Sequence, residues 1–107
     1  MKERTRPPAH PGAILNRHYL EPLSLTITEV ADALGVARKT VSKIVNEHGA
    51  ITSDMALRLG KAFNTSPQLW LNLQHNYDLW HASHKSQEWK HVHTLMAKAP
   101  GVYASAS

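Results

Sequence analysis

The chain has no cysteine among its 107 residues. That absence excludes disulfides and thiolate metal sites, and makes a reducing cytosol the natural compartment. No apolar run follows the charges of MKERTRPPAH, and none elsewhere is long enough to span a bilayer. Neither a signal peptide nor a membrane segment is expected, so the protein should be soluble and cytoplasmic. There is no glycine-rich phosphate loop, no thiol and no defensible spacing of nucleophile and base, so no catalytic residue is assigned and no enzyme or cofactor is expected. Internal repeats and low-complexity stretches are also lacking. Acid is the scarcer charge, with eight Asp and Glu against twelve Lys and Arg, a net +4 compatible with nucleic acid. A chain of this length suits one domain, marginal enough alone that dimerisation would help.

What is present centres on TITEVADALGVARKTVSKIVN, from Thr26 to Asn46. It reads as two short helices joined by a glycine turn. Ala31 falls where the helices must cross closely, and Gly35 where the first must end in a residue tolerant of positive φ. Val30, Leu34, Val36, Val41 and Ile44 supply apolar faces at three- and four-residue steps, as two steeply crossing helices require. The second helix carries three cations and no acid. With Val41, Ile44 and Val45 inward, Arg38, Lys39, Ser42, Lys43 and Asn46 point out, and these side chains suit phosphates and base edges. Solubilising charge is the plainer explanation, but the cations occupy the one face this geometry leaves free for a major groove.

The flanking sequence predicts three more helices. Residues 1–10 form a short basic arm whose Pro7 and Pro8 favour extended backbone. Pro11 suits a first-turn position, Ile14, Leu15, Tyr19 and Leu20 make a stripe, and Pro22 is expected to stop this first helix. Thr26 and Glu29 form a capping box, and Thr26 or Thr28 is placed to add a backbone phosphate contact. Ala37 leaves the third helix without a capping oxygen. Thr52 or Ser53 caps the fourth, with Met55, Leu59, Ala62 and Phe63 buried and Arg58 and Lys61 outward. Ser66 and Pro67 open a fifth helix over 67–82 in which Leu69, Trp70, Leu73, Tyr77 and Trp80 recur at helical steps. Leu69, Leu73 and Tyr77 are expected against helices one and four, and Trp80 with its neighbours across a two-fold axis. In the tail, Trp89, Val92, Leu95 and Met96 suggest one more amphipathic helix ended by Pro100 and Gly101, before a frayed VYASAS.

PPAHPG, AILNRHYLEPL, ADALGVARKTVSKIVN and ITSDMALRLGKAFNTSPQLWLNLQHNYDLW together resemble the HigA-type antitoxins, also called virulence-associated protein I, of the phage-repressor-like helix-turn-helix superfamily. The likeness covers about residues 7–82. It implies an all-α, five-helix repressor: a basic arm over 1–10, a DNA-binding domain with a dimerising fifth helix over 11–82, and a helical or partly ordered tail over 83–107. It also implies a homodimer on an inverted-repeat operator near its own promoter, and neutralisation of a HigB-type messenger-RNA-cleaving toxin. By resemblance, DNA reading falls to Arg38, Lys39, Thr40, Ser42, Lys43 and Asn46, and the dimer contact to Trp70, Leu73, Tyr77 and Trp80. The sequence departs from the family at Glu47 and His48, where related chains often carry basic residues.

Three functions compete: a DNA-binding repressor, a toxin-masking protein, and a metal or enzymatic role. An orphan regulator without a toxin stays open as the alternative to the antitoxin. The metal reading rests on eight histidines, among them His81 and His84 three apart. They match no HExxH pattern and have no cysteine beside them, while His91 and His93 would diverge on a helix. Surface histidine is the better account, and no metal ligand is assigned.

Overall fold

The computed structural model describes residues 6–96. The expected stop of the last helix at Pro100 and Gly101, and the fraying of VYASAS, lie outside the described residues. Five helices enclose one apolar core, and the described residues include no strand.

Helix α1 covers residues 11–23 and is not uniform. It is α-helical over Pro11–Leu15, widens to a π-helix over Asn16–Leu20 and returns to α-helix over Glu21–Leu23. Pro22 therefore does not stop it. In a regular α-helix the proline ring presses on the carbonyl four residues back and offers that carbonyl no N–H. The widened turn moves the Glu21 N–H onto the Asn16 carbonyl, and the extra residue per turn makes room for the ring. The chain turns off only at Ser24, in the left-handed region with φ 54°.

Helix α2 (Ile27–Leu34) opens on the expected capping box. Thr26 Oγ1 accepts from the Glu29 N–H at 3.0 Å, and Glu29 Oε1 accepts from the Thr26 N–H at 2.8 Å. It ends at Gly35, with φ 71°. Helix α3 (Arg38–Val45) begins without a side-chain cap at Ala37, as its sequence predicts. Helix α4 (Ser53–Phe63) is capped by Thr52, whose hydroxyl accepts from the Met55 N–H. Its buried stripe is Met55, Ala56, Leu59 and Gly60, with Phe63 half-buried, while Ala62 is exposed against expectation. The stripe is rotated toward Gly60 because the corner to the next helix closes there, so tightly that a Cβ would sit 2.8 Å from the Thr65 carbonyl oxygen.

Helix α5 (Pro67–Lys85) starts at the Ser66 cap and outruns its expected end at 82. The Ser83 hydroxyl donates to the Trp80 carbonyl, which keeps a polar residue compatible with a last helical turn. Trp70 is wholly buried, its Nε1 donating to Thr65 Oγ1 at 2.8 Å and its ring 5.6 Å from that of Tyr19. Leu69, expected in the core, is 38% exposed instead, because Trp70 fills the space between α5 and α1. The expected tail helix reduces to a 3₁₀ turn over Glu88–His91, with Trp89, Val92, Leu95 and Met96 exposed. Trp89 meets the end of α5, its Nε1 donating to the Ser83 carbonyl at 3.3 Å, and a short helix with so little packing is marginal in water.

Candidate nucleic-acid interface

Two constraints set which way α3 faces. Val41 and Ile44 are buried, with Val45 half-buried, in the core that also holds Val30, Ala31 and Leu34 of α2. Ala31 is 1% exposed, so the close crossing inferred from its small side chain is real. The opposite face then has one composition. Arg38, Lys39, Lys43 and Asn46 are exposed, Thr40 and Ser42 are partly exposed, and Thr28 stands exposed on the first turn of α2. Ile27, Arg38, Lys39 and Ser42 line a shallow open hollow between the start of α2 and α3.

Within this face Asn46 Nδ2 donates to Ser42 Oγ at 3.3 Å, one helical turn away. The contact ties the amide back to the preceding turn of α3. It engages one of the two amide protons and leaves the other, with the carbonyl oxygen, able to bond elsewhere. The three cations have no carboxylate partner among the described residues, where the ion pair is Arg58 with Asp54. The face is thus held open for anions. Glu47, which follows it, has a positive φ of 65° and ends α3 with its N–H on the Ile44 carbonyl.

Several side chains that hold this face were not assigned from sequence. Arg58, expected to face outward, turns back. Its Nε donates to Asp54 Oδ2 at 2.7 Å, and its Nη1 donates to the Leu34 carbonyl at 2.7 Å and less closely to that of Gly35. A cation thereby closes the C-terminal end of α2, where the helix dipole is negative. His10 is 4% exposed and caps α1, its Nδ1 accepting from the Gly12 N–H at 2.9 Å. The ring also hydrogen-bonds the Gly49 backbone and meets Tyr77 edge-on at 4.8 Å. Burial pushes its pKa below the ordinary histidine value, against the opposing pull of Glu47, the Gly49 bond and Asp78. Gly12 lies against the end of α3, where a Cβ would overlap the Ile44 carbonyl oxygen. Gln74 is buried, its Oε1 accepting from the Ile51 N–H at 2.7 Å and its Nε2 donating to Asp78 at 3.0 Å. Pro11 was the one sequence signal near His10; nothing marked Gln74, a polar residue on an apolar helix face.

The residues assigned to dimer contact divide. Trp70 is corrected: it lies inside the monomer and has no surface to share. Leu73 is partly buried against the core, and Tyr77 is partly buried between His10 and His81. Trp80 is partly exposed and stacks on His84, with ring centroids 3.9 Å apart. Pro8, Asn76, Leu79, Trp80 and Ser83 line a second open concavity on the outer side of α5. His81 and His84 are engaged with aromatic rings, and His91 and His93 are exposed.

Comparison with known proteins agrees with this architecture. A helix-turn-helix family model matches residues 17–70. An uncharacterised HTH-type transcriptional regulator of Haemophilus influenzae is 48% identical over 83 residues, which is 78% of either chain. Antitoxin HigA-1 of Vibrio cholerae is 39% identical over 88 residues, covering 82% of this chain and 83% of that one. The structure described as Pseudomonas aeruginosa antitoxin HigA with higBA promoter superposes with a TM-score of 0.75 at 40% identity, over 83% of this chain and 99% of that chain.

Proposed function

The chain belongs to the helix-turn-helix family, and from that premise we propose that it is an operator-binding repressor of the HigA antitoxin type. The observation that carries this is the outward face of α3: cations without an acid among them, beside the capped start of α2. In the proposed complex α3 lies in the major groove. Arg38, Lys39, Thr40, Ser42, Lys43 and Asn46 divide base and phosphate contacts, and Thr28 adds a phosphate contact at the α2 N-terminus. A homodimer through α5, centred on Trp80 with Leu73 and Tyr77 behind it, sets two copies of α3 about 34 Å apart on an inverted repeat. The working unit is residues 11–82, with 1–10 as a basic arm and 83–107 as a tail.

Likeness to HigA-1 and to an antitoxin solved with its promoter supports this reading. It brings with it a HigB-type, messenger-RNA-cleaving toxin as protein partner. A second reading, an orphan regulator, is favoured by the Haemophilus influenzae relative, described only as a transcriptional regulator. Co-expression with the product of the adjacent gene separates them. Relief of a growth arrest caused by that product identifies an antitoxin, and no arrest to relieve leaves the regulator alone. Since no helix among the described residues is long and apolar enough to cross a membrane, the proposed site of action is the cytoplasm, with the DNA.

Fluorescence anisotropy on the chain's own promoter tests the DNA reading. Arg38→Ala should cost about 1 to 3 kcal/mol and relax preference at one base pair. Unchanged affinity and unchanged preference would remove Arg38 from the interface. Binding should also weaken steeply with salt, in proportion to the phosphates contacted.

A further inference from the structure

The helix that reads and the helix that pairs are not directly joined. α3 packs on α2 and on α1, whereas α5 packs on α4 and on α1, and α3 shares no extensive contact with α5. α1, packed on both, spans the gap, and beside it so does the loop over residues 46–52 with the groups that grip it. His10 reaches from the start of α1 to the Gly49 backbone on one side and to the Tyr77 ring of α5 on the other. Gln74 of α5 accepts from the Ile51 N–H at 2.7 Å, and Asp78, one turn further along, accepts from its amide nitrogen and so fixes which way the amide points. Both side chains are buried, at 4% and 6% exposure. At the same junction Gly12 lets α1 lie against the last carbonyl of the α3 core face.

A buried histidine and a buried glutamine are costly unless bonded, and here every bond named ends on the segment that follows α3, on α5, or on the start of α1. We infer that His10 and Gln74 are positioning residues that fix α3 relative to α5, and thereby set the half-site spacing of the operators this protein accepts. The inference rests on the repressor reading above and adds to it a determinant of specificity that touches no base. Its logic is symmetry: in a dimer joined through α5, slack between α3 and α5 in one protomer appears again in the other. One base pair of spacer moves a half-site by about 3.4 Å and turns it by about 34°, so a stiff junction rejects the wrong spacer and a loose one tolerates it.

The test is anisotropy of the full chain on synthetic inverted repeats that keep its own half-sites and vary the spacer by one base pair in either direction. Gln74→Met keeps the volume of the side chain and loses the acceptor for Ile51. His10→Asn keeps a capping oxygen for α1 and loses the reach to Gly49 and Tyr77. With the wild type preferring its native spacer, each variant should bind that spacer about fivefold more weakly and show a flattened preference across spacers, while discrimination among bases within a half-site persists. A merely structural role predicts a proportional loss on all spacers, and an unchanged ratio in both variants would overturn the inference. Should Gln74→Met fail to fold, His10→Asn decides alone. A wild type that binds the repeats without spacer preference also overturns the inference; one that binds no repeat overturns the repressor reading and the inference with it.

Discussion

A histidine whose Nδ1 accepts a backbone hydrogen bond is committed to its neutral form, and His10 is such a residue. Burial lowers its pKa in the folded chain, so in the unfolded chain it binds a proton at a higher pH than in the folded one. Its contribution to stability is therefore whole above the ordinary value of 6.5 and is lost as pH falls through the folded value. Thermal denaturation from about pH 7.5 to about pH 5 should show a steeper loss for wild type than for His10→Asn, which caps without titrating. Parallel curves would remove His10 as the source. At this scale the sequence was only partly legible. Arg58 looked like a solvent-facing cation on the exposed side of α4, but a guanidinium can reach back to the end of another helix, a contact that spacing along its own helix does not encode. Trp70 was misplaced for the converse reason, since its spacing suits an interface and a core equally.

Helices are where the chain was most readable. Thr26 with Glu29, Gly35, Thr52, and Ser66 with Pro67 are local devices, each satisfying or terminating a helix end with groups a few residues away. Such devices act before any tertiary contact exists, so their signatures survive in sequence. α1 was less readable because its π-helical stretch is a response to packing around Pro22. α3 carries the one missing cap among the three core helices α2, α3 and α4. Ala37→Ser should supply it and stabilise the fold by about 1 kcal/mol, read as a higher midpoint in urea with an unchanged slope. A midpoint that stays put would mean that the uncapped amides of α3 already find partners in water.

In the whole molecule the apolar surface is unevenly spent. The core is shared among α1, α2, α3, α4 and the first half of α5, whereas the second half of α5 and the tail leave Leu79, Trp89, Val92 and Leu95 in solvent. Leu79 is 68% exposed beside Trp80 on the outer side of α5. In the proposed dimer Leu79→Lys should therefore leave the thermal midpoint of the folded unit little changed while shifting sedimentation toward monomer and weakening operator binding. A variant that still sediments as a dimer would place the two-fold axis elsewhere on the chain.

By itself the sequence determined the five helices in order, the caps at Thr26, Thr52 and Ser66, and the division of α3 into a valine and isoleucine side and a side of cations and amide. Periodicity and capping are short-range physics, complete within one or two turns of chain. Only the tertiary structure decided which polar groups were drawn inward: His10 and Gln74 clasping the loop after α3, Arg58 closing α2, Trp70 withdrawn from the surface. Each of those placements depends on a partner 5 to 39 residues away along the chain, beyond the one or two turns over which helical periodicity and capping leave a mark in the sequence.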